Sequence, residues 1–363
     1  MRRGVLFINL GTTAAPTAQA TGEYLREFLT DPYVIDVPNP MRWMLVNLLI
    51  VPRRQHQSAE AYNSIWTKQG SPLLVYSLQF MEEMRRLVSS EWEVALGMRY
   101  GEPSIRSGLE QLRKADVDEL LLFPLYPQFA DSSTTTALLK AVNELKDMSW
   151  RPESTQYLGY FFRHPAFIRS LAQRVRTAMN QFSADHLLLS YHGLPERHLS
   201  KRSDLHESCH FDQKCCTAWS KRNELCYRAQ CFATSRALLE ELNWPSTKAS
   251  TAFQSRLGRA KWIGPSLKEE ITRLAESGVK RLLVSCPSFV TDCLETLEEV
   301  GMRARYTFRE LGGEELHLVQ GLNAHSDWVG AAASILESES WKPVHFDTGP
   351  RSEALSASPE SAS

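Results

Sequence analysis

Short apolar runs alternate with longer amphipathic segments along the chain, and this alternation narrows the fold more than any other feature. The runs are Val5–Leu10, Val94–Met98, Leu120–Leu125, His186–Tyr191, Ser250–Phe253 and Arg281–Cys286. Between them, Leu73–Leu87, Ile105–Leu112 and Leu267–Leu274 carry helical spacing. The pattern predicts an α/β fold of parallel sheets flanked by helices. A weak internal echo accompanies it. Leu122-Phe123-Pro124-Leu125-Tyr126-Pro127-Gln128-Phe129 resembles Leu282-Leu283-Val284-Ser285-Cys286-Pro287-Ser288-Phe289, and strand-then-glycine recurs at Leu10-Gly11 and His192-Gly193. Two similar halves would produce both echoes, and so would buried strands that merely look alike.

A chain of 363 residues has room for two or three domains, at about 100–200 residues each. With 43% hydrophobic residues it can bury a core without disulfide or metal staples. Lys and Arg number 41 against 42 Asp and Glu, so no global basic field points to nucleic acid. The first apolar run ends at a turn and not at a small-residue cleavage site, and no uncharged stretch reaches the ~18–20 residues of a membrane span. The expectation is a cytoplasmic protein whose cysteines serve metal binding or chemistry.

In open α/β sheets, ligands sit beyond the carboxyl ends of strands. His192 follows one such strand and precedes Gly193-Leu194-Pro195. It could act as a base or metal ligand, or be a hydrogen-bonded turn residue. Asp292, Glu295 and Glu299 follow another strand at helical spacing. They could escort a cation, move protons, or simply cap a helix. Gly11-Thr12-Thr13 lacks the dinucleotide and P-loop patterns. Arg53, Arg54, Tyr62, Lys68 and Ser71 suit carboxylate recognition, or form a solvated face. Met41–Val51 is strongly apolar and too short to span a bilayer. A core helix is the default reading, with a wall for a flat apolar ligand or an interfacial patch as alternatives.

Five of seven cysteines, Cys209, Cys215, Cys216, Cys226 and Cys231, fall in one polar stretch that interrupts the α/β pattern. Four thiolates could hold zinc or an iron–sulfur cluster, although the C-x5-C-C-x9-C-x4-C spacing matches no standard zinc or ferredoxin run. The alternative is reduced thiols.

Several motifs in order along the chain resemble the ferrochelatases. They are Asn9-Leu10-Gly11-Thr12, Tyr24 to Pro32, Tyr126-Pro127-Gln128, Ser190 to Pro195, Phe253 to Gly258, Trp262-Ile263-Gly264-Pro265, and Phe289 with Asp292 to Glu299. The resemblance runs from about residue 4 to about residue 330. It implies ferrous iron inserted into protoporphyrin IX to make haem, in a cleft between two Rossmann-like, chelatase-type domains. Residues 1–160 would form the first domain, with an apolar lip at about 38–52, and 161–310 the second, with the Cys-rich insertion at about 199–231. Residues 311–342 would pack back on the first domain, and 343–363 would be a mostly disordered tail.

Carried over residue by residue, the resemblance makes His192 catalytic, as proton acceptor or metal ligand, with Glu295 its partner across the cleft and Asp292 on the acidic path. His192 and Glu295 would meet the substrate iron. Cys293 stands where some members have His. Arg54, Tyr62 and Ser71 match propionate-holding positions, and Arg99, Tyr100, Trp262 and Phe289 match pocket positions. Leu10 stands where coproporphyrin-using relatives tend to carry Tyr, which favours protoporphyrin. Some members carry a [2Fe–2S] cluster, and here its ligands would be Cys209, Cys215, Cys216 and Cys226, with Cys231 as substitute. The apolar lip could touch the inner membrane face peripherally. Oligomeric state is not legible. Two other functions fit the same residues: a chelatase for cobalt or nickel and another tetrapyrrole, or a haem or iron–sulfur sensor on the same scaffold.

Overall fold

The computed structural model describes residues 1–201, 214–216, 218–256, 258, 260–338 and 341–346. In the first half, β1 (Arg3–Gly11), β2 (Trp92–Tyr100), β3 (Glu119–Pro124) and β4 (Ser154–Tyr157) form a parallel sheet in the order β2-β1-β3-β4. In the second half, β5 (His186–His192), β6 (Ala249–Gln254), β7 (Arg281–Ser285) and β8 (Glu315–Leu318) are parallel in the order β6-β5-β7-β8. The two orders are the same topology used twice. A two-residue strand, β9 (Lys342–Pro343), adds antiparallel to β4. All six apolar runs lie in strands. Val5 to Ile8 and Leu187 to Leu189 are fully buried, as expected for strands covered on both faces.

The glycine echo has a steric cause in both halves. A Cβ on Gly11 would lie 1.7 Å from the Tyr100 carbonyl oxygen at the end of β2, and one on Gly193 would lie 2.6 Å from the Gln254 carbonyl oxygen at the end of β6. Each first strand thus turns out of its sheet hard against its neighbour's carboxyl end, leaving no room for a side chain.

Helices cover both sheets. Leu267–Glu276 opens with a capping box in which Ser266 and Glu269 satisfy each other's amides. The segment expected to return to the first half from residue 311 first supplies β8 to the second sheet. The helix Ser326–Leu336 then crosses back, and its Trp328 ring stacks on Phe80 and Phe161 with centroids 5.8 Å away in both cases. One buried apolar cluster therefore runs from Phe7, Phe80 and Phe123 to Leu187, Leu189 and Tyr191.

Three segments depart from α-helical geometry. Leu45–Ile50, Asp131–Thr135 and Glu295–Ala304 form i→i+5 bonds, so faces read at 3.6-residue spacing do not hold there. The lip is a correction to the default core-helix reading. Val46 and Val51 pack against Leu29 and Ile35, but Met41 (62%), Trp43 (55%) and Leu48 (63%) are exposed. No helix among the described residues is long and apolar enough to cross a membrane. Cys209 and most of the 343–363 tail lie outside the described residues.

Candidate active site

His192 closes β5 beside Gln254, its register partner on β6. Its Nδ1 lies 2.6 Å from the Gly193 carbonyl oxygen. A carbonyl can only accept, so Nδ1 carries the hydrogen and a neutral ring leaves Nε2 as the acceptor. The Gly193 amide donates to the Gln254 carbonyl at 2.7 Å, and Trp262 closes the turn through a bridge with Pro195. The Phe289 ring centroid lies 6.2 Å from that of His192. His192, Trp262 and Phe289 are all half-buried, so they gather as an accessible wall.

Glu295 is joined to this wall through Gln254, whose Nε2 donates to the Glu295 carbonyl at 2.7 Å. The half-buried Glu295 carboxylate lies near Tyr24, Tyr62 and Cys293. Burial pushes each of these groups up, and the Glu295 charge adds to the rise. Glu299 is engaged by the Ser255 amide at 2.9 Å and hydroxyl at 2.6 Å.

Asp292 departs from the acidic-face expectation. It precedes the helical segment and is 1% exposed. Its carboxylate accepts from Thr296 Oγ1 at 2.9 Å, the Gly321 amide at 3.0 Å and Asn323 Nδ2 at 2.8 Å. It caps a turn and pins the 321–323 loop.

On the first half, Leu10 is half-buried at the end of β1. Its neighbour Asn9 donates through Nδ2 to Ser77 Oγ at 3.1 Å and Thr291 Oγ1 at 3.5 Å, tying β1 to the Asp292 turn. Ser71 and Thr12 hydroxyls meet at 2.8 Å, with Tyr62 hydrogen-bonded to Thr12. Ser71 and Tyr62 are buried in this arrangement. Arg54 is exposed on the helix Val51–Ile65. Arg99 forms an ion pair with Asp31, which also accepts from Tyr100 at 2.8 Å and Thr136 at 2.5 Å. Tyr100, expected in the pocket wall, is fully buried behind it, while Arg99 keeps a partly accessible edge. The Tyr126 hydroxyl is buried with no hydrogen-bond partner among the described residues.

The Cys-rich stretch is partly described. Cys215 Sγ and Cys216 Sγ lie 3.8 Å apart, and Cys216 is hydrogen-bonded with Cys226. The buried Arg228 donates to Cys216 Sγ at 3.3 Å, but the Cys226 hydrogen bond and burial outweigh its charge and push the Cys216 thiol up. Cys231 is fully buried in the core beside Tyr227 and Tyr191. Cys216 thus meets both Cys215 and Cys226, while Cys231 lies among tyrosines. Among the described residues no group of three or more His, Cys, Asp or Glu is placed to hold a metal ion.

Sequence reading missed Gln254, Tyr227, Asn9 and Asp31 as parts of the site. Gln254 and Asn9 carry no ionisable signal, and all four act through partners far along the chain.

The ferrochelatase family model matches residues 2–340. Similar proteins include the ferrochelatase of Coxiella burnetii (strain Dugway 5J108-111), 46% identical over 92% of both chains. The ferrochelatase of Pseudomonas fluorescens (strain SBW25) is 45% identical over 92% of this chain and 97% of its own. That of Legionella pneumophila is 43% identical over 93% of this chain and 100% of its own. Among solved structures, SirB from Bacillus subtilis with Fe3+ superposes with a TM-score of 0.53 over 93% of this chain and 94% of its own. At 11% identity that likeness establishes the chelatase fold alone. With a family match over nearly its whole length and relatives at 43–46% identity, this chain belongs to the ferrochelatase family.

Proposed function

We propose that the protein inserts ferrous iron into protoporphyrin IX, with His192 and Glu295 as the working groups. Membership of the family carries iron insertion into a porphyrin, a step of haem biosynthesis, to this chain. The choice of protoporphyrin is supported by the half-buried, apolar Leu10. Coproporphyrin would bring additional carboxylates, which such a surface solvates poorly.

Insertion exchanges two pyrrole N–H protons for one divalent cation, so the core of the macrocycle stays neutral. His192 takes one proton on Nε2, because Nδ1 is committed to the Gly193 carbonyl. Glu295 takes or relays the other. Leu10, Trp262 and Phe289 supply apolar contact to the ring, and Arg99 and Arg54 supply cationic partners for propionates. Tyr62 and Ser71 are drawn from the Thr12 cluster to join them when substrate enters. Asp292 has a positioning role, because its carboxylate is held by the 321–323 loop and Thr296.

The observation that carries the reading is the fixed His192 tautomer at a strand end, bound through Gln254 to Glu295. Anaerobic protein mixed with protoporphyrin IX and ferrous iron should give haem bands faster than buffer alone. Conversion of sirohydrochlorin with cobalt, and none of protoporphyrin with iron, would overturn it.

Two further features belong to this reading. Cys215, Cys216 and Cys226, with Cys209, would hold a [2Fe–2S] cluster. The paired sulfurs and the Arg228 cation favour it. Such a cluster supplies one-electron redox chemistry when bound. Iron and sulfide content unchanged by Cys216→Ser would remove that residue from the ligand set. The exposed lip, through Met41, Trp43 and Leu48, would rest on the inner membrane face of the cytoplasm. Cosedimentation with lipid vesicles that is lost in Trp43→Ser tests this.

A further inference from the structure

Tyr227 is the first residue of the helix Tyr227–Leu242 and directly follows Cys226. The opening turn of this helix makes contacts with four separate segments of the cleft wall. Tyr227 donates from its hydroxyl to the His192 carbonyl at 2.9 Å and meets Ser288 Oγ at 3.1 Å. Arg228 donates to the Gly264 carbonyl at 2.9 Å, two residues beyond Trp262. Gln230 accepts the Phe129 amide on Oε1 at 2.7 Å, three residues beyond Tyr126. All three side chains are at most 5% exposed. Apart from the Ser288 contact each of these bonds is to backbone, so the turn fixes where the cleft segments run.

The bond to His192 has the most direct chemical consequence. The carbonyl that Tyr227 holds belongs to the peptide plane joining His192 to Gly193. The opposite edge of that plane is the Gly193 amide, held by Gln254 at 2.7 Å. With both edges fixed, the plane cannot rotate. The next carbonyl, that of Gly193, is the one that accepts from His192 Nδ1. Freeing one edge would let the peptide tilt and misdirect the ring that must meet a pyrrole nitrogen. The Ser288 contact extends the same hydroxyl to the residue before Phe289, whose ring lies against His192.

We infer that Tyr227 is a positioning residue for His192, an inference that rests on His192 being the proton acceptor. It does not require any occupant at the cysteines. Tyr227→Phe removes only the hydroxyl. It should lower kcat about tenfold, as small misplacements of a reacting group do, and leave KM for protoporphyrin within about twofold. A residue needed only for folding would lower the active fraction and the thermal midpoint without that split per active site.

The test measures kcat, KM, active-site titre and thermal midpoint for Tyr227→Phe, Ser288→Ala, their double variant and His192→Ala. Ser288→Ala should keep the parental kcat. The double variant leaves no serine hydroxyl unpaired, so it reports on the lost His192 bond even if Tyr227→Phe folds poorly. Parental kcat in Tyr227→Phe, or in the double variant, with His192→Ala inactive would overturn the inference alone. Parental kcat in His192→Ala would overturn the assignment of His192 beneath it. A rise in KM with kcat unchanged would also contradict it, by placing Tyr227 in substrate binding.

Discussion

The side-chain amide of Gln254 donates to the backbone carbonyl of Glu295 at 2.7 Å, and this bond ties the carboxylate helix to the strand beside His192. The same side chain accepts from Ser190 Oγ at 2.6 Å through Oε1. Gln254 is 1% exposed, so its partners have no water to turn to. Replacing it with Leu should orphan both, at about 1–3 kcal/mol each. The expected outcome is a fall in thermal midpoint together with a fall in kcat, because one bond serves both packing and alignment. Thermal unfolding and steady-state kinetics on Gln254→Leu check this; a lower midpoint with parental kcat would separate the two roles.

Asp292 distinguishes a proton carrier from a structural anchor. The Gly321 amide and Asn323 share one carboxylate oxygen and Thr296 holds the other, so asparagine can keep the first two only by turning its NH2 onto the Thr296 hydroxyl, and it gives up the charge that strengthens all three bonds. Asp292→Asn should therefore lower stability by about 2–4 kcal/mol, within the cost of breaking a buried charged hydrogen-bond network. The folded fraction should retain activity within about fivefold of the parent, since a positioning loss is smaller than loss of general acid–base catalysis. Full stability with activity abolished would make Asp292 a proton carrier instead.

Asp36 is the anionic centre of a latch between the halves. Arg197 Nε reaches it at 2.8 Å and Lys201 Nζ at 2.5 Å, both from the segment just after the His192 turn. Burial pushes the Asp36 carboxyl up, but the Lys201 hydrogen bond and the Arg197 and His198 charges outweigh it and hold the group below its usual range. A depressed carboxylate contributes stability above its unfolded pKa of about 3.9 and loses it as pH falls through the lower folded value. Asp36→Asn should therefore show a shallower loss of thermal midpoint below about pH 4 than the parent. Identical acid limbs in parent and variant would rule out this contribution.

His186 makes the opposite end of the acid range informative. It is buried at the start of β5, with Nε2 2.9 Å from Ser250 Oγ. Burial pushes its pKa down to about 4, with the Glu270 charge opposing in part. The unfolded ring binds its proton near pH 6.5, well before the folded one. Stability from keeping the ring neutral is present above that value and is lost as pH falls from about 6.5 toward 4. His186→Gln should flatten the thermal midpoint between pH 7 and pH 5. A variant as pH-sensitive as the parent over that interval would refute the assignment.

Legibility in the sequence followed burial. β1, β2, β3, β5, β6 and β7 are read directly, because strands covered on both faces are continuous apolar runs. β4 (Ser-Thr-Gln-Tyr) and β8 (Glu-Leu-His-Leu) are short and polar at alternate positions, and nothing local marks them. The acidic face does not extend to Asp292 because that residue precedes the helical segment, and within Glu295–Ala304 i→i+5 bonding rotates residues away from α-helical spacing. The place of His192 at a strand end was legible because the apolar run before it marks the strand. Tyr100 and Asp292 were not, because their side chains are directed by Asp31 and Asn323, which lie 69 and 31 residues away.

The most direct measurement is the rate of haem formation by anaerobic protein from protoporphyrin IX and ferrous iron, compared with that of His192→Ala. Loss of a general base should slow the folded variant by about 100-fold or more, with porphyrin still bound. Haem formed by His192→Ala at the parental rate would contradict the assignment of His192 as the group that takes the pyrrole proton.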